Sequence, residues 1–167
     1  GKLTPFQSAG MWGFINEQSE IVIHPKYESV TEFIDGLAKV KRNTKWGFID
    51  SNGKEVIPCS YDEARDFCEG VVIVKRNKTE VFGNDTLGFV DKTGKEIMPP
   101  KYWRIDDFSG GVALVSNGKC GYVDKTGEEV VPLIYEFYEL KSMPLQELLS
   151  KHRVEKGQSF DPDKAAP

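Results

Sequence analysis

Short runs of aromatic and β-branched residues alternate with polar, glycine-bearing turns along most of the chain. Trp46-Gly47-Phe48-Ile49 has the composition of a short strand. Asp50-Ser51-Asn52-Gly53 predicts a turn, because Asp hydrogen-bonds its own backbone there and Gly tolerates positive φ. Glu55-Val56-Ile57 is the returning strand, and Pro58, which has no N–H to donate to a central ladder, is expected to mark its end. An irregular link starting at Tyr61-Asp62 leads to Phe67 and Gly70. Val71-Val72-Ile73-Val74 is a third strand, followed by a polar hairpin into the next aromatic strand.

The same unit recurs. Trp12-Gly13-Phe14-Ile15-Asn16 returns as Trp46-Gly47-Phe48-Ile49-Asp50, as Leu87-Gly88-Phe89-Val90-Asp91 and as Cys120-Gly121-Tyr122-Val123-Asp124, at spacings of 34, 41 and 33 residues. Fifteen residues after each start stands a tyrosine: Tyr27, Tyr61, Tyr102 and Tyr135. Twelve residues after the last three starts stands a proline: Pro58, Pro99 and Pro132. Phe33, Phe67 and Phe108 follow at a common offset, then Gly36, Gly70 and Gly111, then an apolar third strand. The turns Asp91-Lys92-Thr93-Gly94 and Asp124-Lys125-Thr126-Gly127 repeat the first one. The chain therefore holds at least three copies, and parts of five, of one β-rich unit.

Lys45-Trp46-Gly47-Phe48-Ile49-Asp50 followed by Gly53-Lys54-Glu55-Val56-Ile57-Pro58 resembles the WG (or KWG) β-repeat family of bacterial proteins, over residues 3 to about 138. The resemblance implies a fold and no defined activity. Leu87 and Cys120 replace the Trp in the last two units, so a role requiring that Trp is absent there.

Three short strands joined by tight turns form an antiparallel meander, and so small a unit must stack on its neighbours to close a core. Trp, Phe and Tyr are the natural filling. The expected architecture is all-β: tandem antiparallel three-stranded repeats in an elongated array. Leu3 to Phe6 aligns with Leu37 to Val40, so the chain opens on a third strand. After Ser142-Met143-Pro144, the residues Leu145, Leu148, Leu149 and His152 follow helical spacing. A β-repeat domain over 1–141, a capping helix over 142–156 and a disordered tail over 157–167 are the expected divisions. The alternative is a closed propeller-like ring, in which the N-terminal strand completes the last unit.

Composition narrows the function. A net charge of -4 and a pI of about 5.3 speak against nucleic acid. No apolar run approaches the roughly 20 residues that span a bilayer. The start at Gly1-Lys2, without Met, slightly favours an exported or envelope protein over a cytoplasmic one. Cys59, Cys68 and Cys120 are too few for a disulfide framework. A Cys59–Cys68 bridge is the alternative to three half-buried thiols.

Candidate chemistry is sparse. Asp50 to Glu55 offers acidic residues, but Pro58 and Tyr61 interrupt what a calcium loop would need to continue. His24 and His152 have no second His or Cys at zinc-like spacing. No nucleophile elbow, P-loop or dinucleotide fingerprint occurs. The Asp106-Asp107 pair reads as a solvated link. No catalytic residue, metal site or cofactor is expected, and the chain is not read as an enzyme. Trp103 stands where the other units carry Glu28, Asp62 and Glu136, which points to an exposed position. The second unit is longer than its neighbours near Asn77 to Thr86, and Val81 and Phe82 lie in that excess. Trp103, Val81 and Phe82 are the candidate contacts of a non-catalytic scaffold for protein partners. A carbohydrate or cell-wall module using exposed aromatics is the alternative.

Overall fold

A computed structural model describes residues 1–77 and 85–155. The expected helix-capped β array is what forms. The first sheet contains β1 (Thr4–Ser8), β2 (Met11–Ile15) and β3 (Ile21–Tyr27). The second contains β4 (Ser29–Val30), β5 (Leu37–Arg42), β6 (Lys45–Asp50) and β7 (Glu55–Tyr61). The third contains β8 (Glu63–Ala64), β9 (Val71–Arg76), β10 (Thr86–Asp91) and β11 (Glu96–Tyr102). The fourth contains β12 (Arg104–Ile105), β13 (Val112–Ser116), β14 (Cys120–Asp124) and β15 (Glu129–Tyr135). Each is an antiparallel meander in chain order. Two helices follow, α1 (Phe137–Ser142) and α2 (Leu145–Glu155).

Two details differ from the sequence expectation. The last three sheets have a fourth strand of two residues at one edge, in what read as an irregular link. The prolines also do not end their strands. Trp46 pairs with Tyr61 and Phe48 with Ile57, so Pro58-Cys59-Ser60 bulges out of β7, which continues to Tyr61. A proline is at home in a bulge, where no ladder donor is required.

The bulge explains the glycine common to all four units. A Cβ on Gly47 would lie 2.4 Å from the Ile57 carbonyl oxygen. Gly13, Gly88 and Gly121 face the same obstruction at 2.2–2.3 Å. Backbone, not a movable side chain, occupies the space. The third-strand hairpins need glycine for another reason: Asp35-Gly36, Glu69-Gly70 and Gly110-Gly111 have positive φ at both central positions, as in a type I′ turn.

Stacking follows one rule. The forward face of each sheet carries the aromatic residues of the repeat. The back face of the next sheet offers small or β-branched residues. Phe14 and Tyr27 pack on Ala38, Val40 and Ile49; Phe48 and Tyr61 on Val72, Val74 and Val90; Phe89 and Tyr102 on Ala113, Val115 and Val123. Edge-to-face pairs lock the same interfaces: Phe14–Phe33 at 4.8 Å, Phe48–Phe67 at 4.9 Å and Phe89–Phe108 at 5.0 Å between centroids. The first four residues of β9 are all apolar because Val71 and Ile73 face the fourth sheet while Val72 and Val74 face the second. One buried aromatic removes on the order of 150–250 Å² from water, worth several kcal/mol, whereas an exposed ion pair contributes about 1 kcal/mol at most. Burial, not charge, joins the layers.

The last forward face, with Cys120, Val131 and Tyr135, packs on Leu140 of α1 and on Leu148 and Leu149 of α2. β1 pairs with β2 in the first sheet, and no core cluster among the described residues joins the first sheet to the last. The array is therefore open, not a ring. The three cysteines are free; Cys59 packs in the first interface, while the Cys68 Sγ lies 3.3 Å from the Phe108 carbonyl oxygen in the third.

Candidate functional site

The residue that opens each unit points forward, into the gap before the next sheet. Trp46 does so on β6, half-buried, with the Lys39 and Lys41 ammonium groups 5.9 and 5.5 Å from its ring. In the third sheet the corresponding residues are Ile73, Lys75 and Leu87. The register is the same, since Lys41 pairs with Trp46 and Lys75 with Leu87. A cleft of about 280 Å³ opens at this point. Leu87 and Ile73 form its apolar lining, Glu63, Arg65, Lys75 and Asp85 its charged one, and Trp103 contributes from the start of the fourth sheet.

The charged groups hold one another. Lys75 Nζ lies 3.5 Å from the Glu63 carboxylate and 3.2 Å from that of Asp85, and Arg65 reaches Asp107 at 3.2 Å. The hydrogen bond to Asp85 is the main reason the Lys75 pKa is raised, so this ammonium stays charged at the cleft.

Trp103 is 54% exposed. Its acidic counterparts do local structural work: Glu28 accepts from the Thr44 N–H at 3.1 Å, Asp62 from the Asn77 N–H at 2.9 Å and from Lys45, and Glu136 from Lys119. An indole cannot accept these bonds. Here the duty passes to Asn117, whose Oδ1 accepts from the Trp103 backbone N–H at 3.0 Å. The Trp103 side chain, released from that duty, lines the cleft.

Of the three residues singled out in the sequence, the structure places Trp103 at this cleft. Val81 and Phe82 lie outside the described residues; the described residue that follows that segment, Asp85, lines the same cleft. Leu87, Ile73 and Lys75 escaped sequence reasoning. Their signal was the loss of Trp at the third unit start, which read only as a missing feature.

The other candidates are accounted for. The Asp50 carboxylate accepts from the Asn52 and Lys54 N–H groups, and Asp91 and Asp124 repeat this in their turns. Asp106 pairs with Arg104 and Asp107 with Arg65. His152 is buried, its Nε2 2.8 Å from the Tyr135 hydroxyl. No group of three metal-ligating side chains occurs among the described residues, and no helix there is long and apolar enough to cross a membrane.

Searches of curated proteins and of solved structures returned no match. The family model of the WG containing repeat matches residues 12–46, 46–79, 88–119 and 121–139. These four matches run in register with the four aromatic-glycine strands and cover well over half of the sequence, and on them the chain belongs to the WG containing repeat family.

Proposed function

We propose that this chain is a non-catalytic interaction module that binds a protein partner at the cleft beside Trp103. One observation carries the reading: a half-exposed Trp103 lines a cleft whose lining includes Leu87 and Ile73, at a position where the other units use an acid to hold their hairpins. Trp is enriched among the residues that dominate protein interfaces. The array supplies a rigid mount, since Leu87 and Ile73 both border the buried core between the third and fourth sheets.

The test is affinity capture from a lysate and an envelope fraction of the source organism, with wild type and Trp103→Ala as baits, followed by binding measurements on the purified candidate. A protein whose affinity falls about thirtyfold or more with Trp103→Ala supports the reading, because truncating a central Trp costs about 2 kcal/mol or more. Equal binding by the variant would overturn it. Capture of cell-wall material alone would favour a carbohydrate-binding module. That second reading has Trp103 and Tyr138 as exposed rings, while Tyr27, Tyr61, Tyr102 and Tyr135 are buried in the cores.

A further inference from the structure

We infer that the cleft seats an aromatic side chain of the partner, an indole by preference, in the place that Trp46 fills one layer earlier. The inference rests on the interaction-module reading and adds the chemistry of the bound group. It comes from the internal symmetry of the array. Two layers of this chain show what belongs against a forward face at this edge. In the second sheet the ring is Trp46 itself, beneath the Lys39 and Lys41 ammonium groups. At the fourth sheet Arg104, the counterpart of Glu63, lies 4.6 Å from the centroid of Phe137, which α1 brings in. Both layers put a ring beside a cation. The third sheet keeps the cation, Lys75, and the apolar floor, Leu87 and Ile73, but carries Leu87 and not a ring at the position of Trp46.

Size and charge select the occupant. About 280 Å³ falls just below the roughly 300 Å³ at which pockets for whole small molecules begin, and suits one side chain. Among the described residues of the rim, Glu63 and Asp85 balance Arg65 and Lys75, which favours neither a phosphate nor a carboxylate. A neutral ring gains the apolar floor, the Lys75 ammonium at its face and the Trp103 indole at its edge or face. Aliphatic side chains gain the floor alone.

The probe is the blocked tripeptide acetyl-Gly-Trp-Gly-amide, with the Leu analogue as control, titrated into the full 167-residue chain and followed by amide and indole NMR shifts. The expected result is saturable shifts confined to Lys75, Leu87 and Trp103, with the Trp peptide binding at least fivefold tighter than the Leu peptide. Leu87→Trp, which restores the ring from within, is expected to weaken the Trp peptide at least tenfold without lowering the melting temperature. Trp103→Ala, at an exposed position, is expected to weaken it severalfold in a chain that folds as wild type. It provides the same test should Leu87→Trp not fold. Equal affinity for the two peptides, shifts elsewhere, or unchanged Trp-peptide binding in both variants would overturn the inference. A peptidoglycan fragment shifting the same signals in place of the peptide would also overturn it. The two readings fail separately. A partner lost with Trp103→Ala but still held by Leu87→Trp defeats the aromatic seat and leaves the interaction module standing. A partner held equally by both variants defeats both.

Discussion

At Gly47 the distance that matters is 2.4 Å, from a would-be Cβ to the carbonyl oxygen of Ile57. That atom belongs to the bulged partner strand, so relief requires the two strands to separate. Gly47→Ala is expected to destabilise the chain by about 3 kcal/mol, the upper range for overpacking, read as a lower urea midpoint. Gly10→Ala meets nothing within 4 Å and carries only the left-handed penalty of its φ of 80°, about 1–2 kcal/mol. Equal losses in the two variants would show that the bulge tolerates a methyl group. The glycine itself is legible in the sequence as a repeat, but its cause is not, because the obstructing oxygen lies ten residues away on a neighbouring strand. Trp103 was legible as an outlier among acids. The cleft it borders was not, since Ile73, Leu87 and Glu63 meet it only through stacking.

Among elements, the longer strands and α2 were legible, while α1 and the two-residue strands were not. The aromatic-glycine strands and their Asp turns follow from local chemistry. The two-residue strands β4, β8 and β12 have no length over which a period can register. They also show that a sheet is not a sequence unit: β5 belongs to one repeat by sequence, yet pairs with β6 of the next. One helix was expected over 142–156. It forms as α2 from Leu145, but Ser142 closes an additional first helix, its Oγ donating to the Glu139 carbonyl at 2.8 Å. The six residues of α1 are too few to hold a helix alone; the Glu136 N–H donates to Glu139 Oε2 at 2.7 Å, and buried Leu140 ties it to the last sheet. Because α1 and α2 are the lid of the terminal core, Leu148→Ala is expected to cost about 2–5 kcal/mol of local stability. Hydrogen exchange should show faster exchange in β14 and β15 while the β2 and β6 amides stay protected, since a stack couples neighbours only. Uniform loss of protection in all four sheets would contradict nearest-neighbour coupling.

At the scale of the whole molecule, a tyrosine rung ties the second layer to the third and the third to the fourth. The Tyr61 hydroxyl donates to Glu96 at 3.3 Å, and the Tyr102 hydroxyl donates to Glu129 at 3.1 Å. In the first interface Glu55 is held by Arg42, and the buried Tyr27 hydroxyl has no hydrogen-bond partner. At the end His152 takes the place of the glutamate beneath Tyr135. Burial first, and the adjacent carboxylate second, push Tyr61 up to about 12 and raise Tyr27 and Tyr102 as well. The folded state therefore favours the neutral phenol. Its contribution is complete below the unfolded tyrosine pKa of about 10 and is lost as pH rises through about 12. Alkaline titration should show tyrosinate absorbance and loss of β circular dichroism rising together in that window. Ionisation of the buried tyrosines near pH 10 with the fold intact would contradict it.

The sequence by itself determined the unit, its strands, its turns and the aromatic set that fills the core, because each is written in local propensity and repeated at fixed offsets. It left the choice between open array and ring undecided, since both use complementary half-units. Tertiary structure decided that choice: β1 closes the first sheet, and Leu140, Leu148 and Leu149 occupy the last forward face. It also decided where a cleft opens between the third and fourth sheets. Leu87 for Trp is an unremarkable change along the chain; only when Lys75 and Trp103 are stacked around it does the missing ring become a cleft. Local patterns specify which surfaces are apolar, while long-range packing specifies which of them find a neighbour.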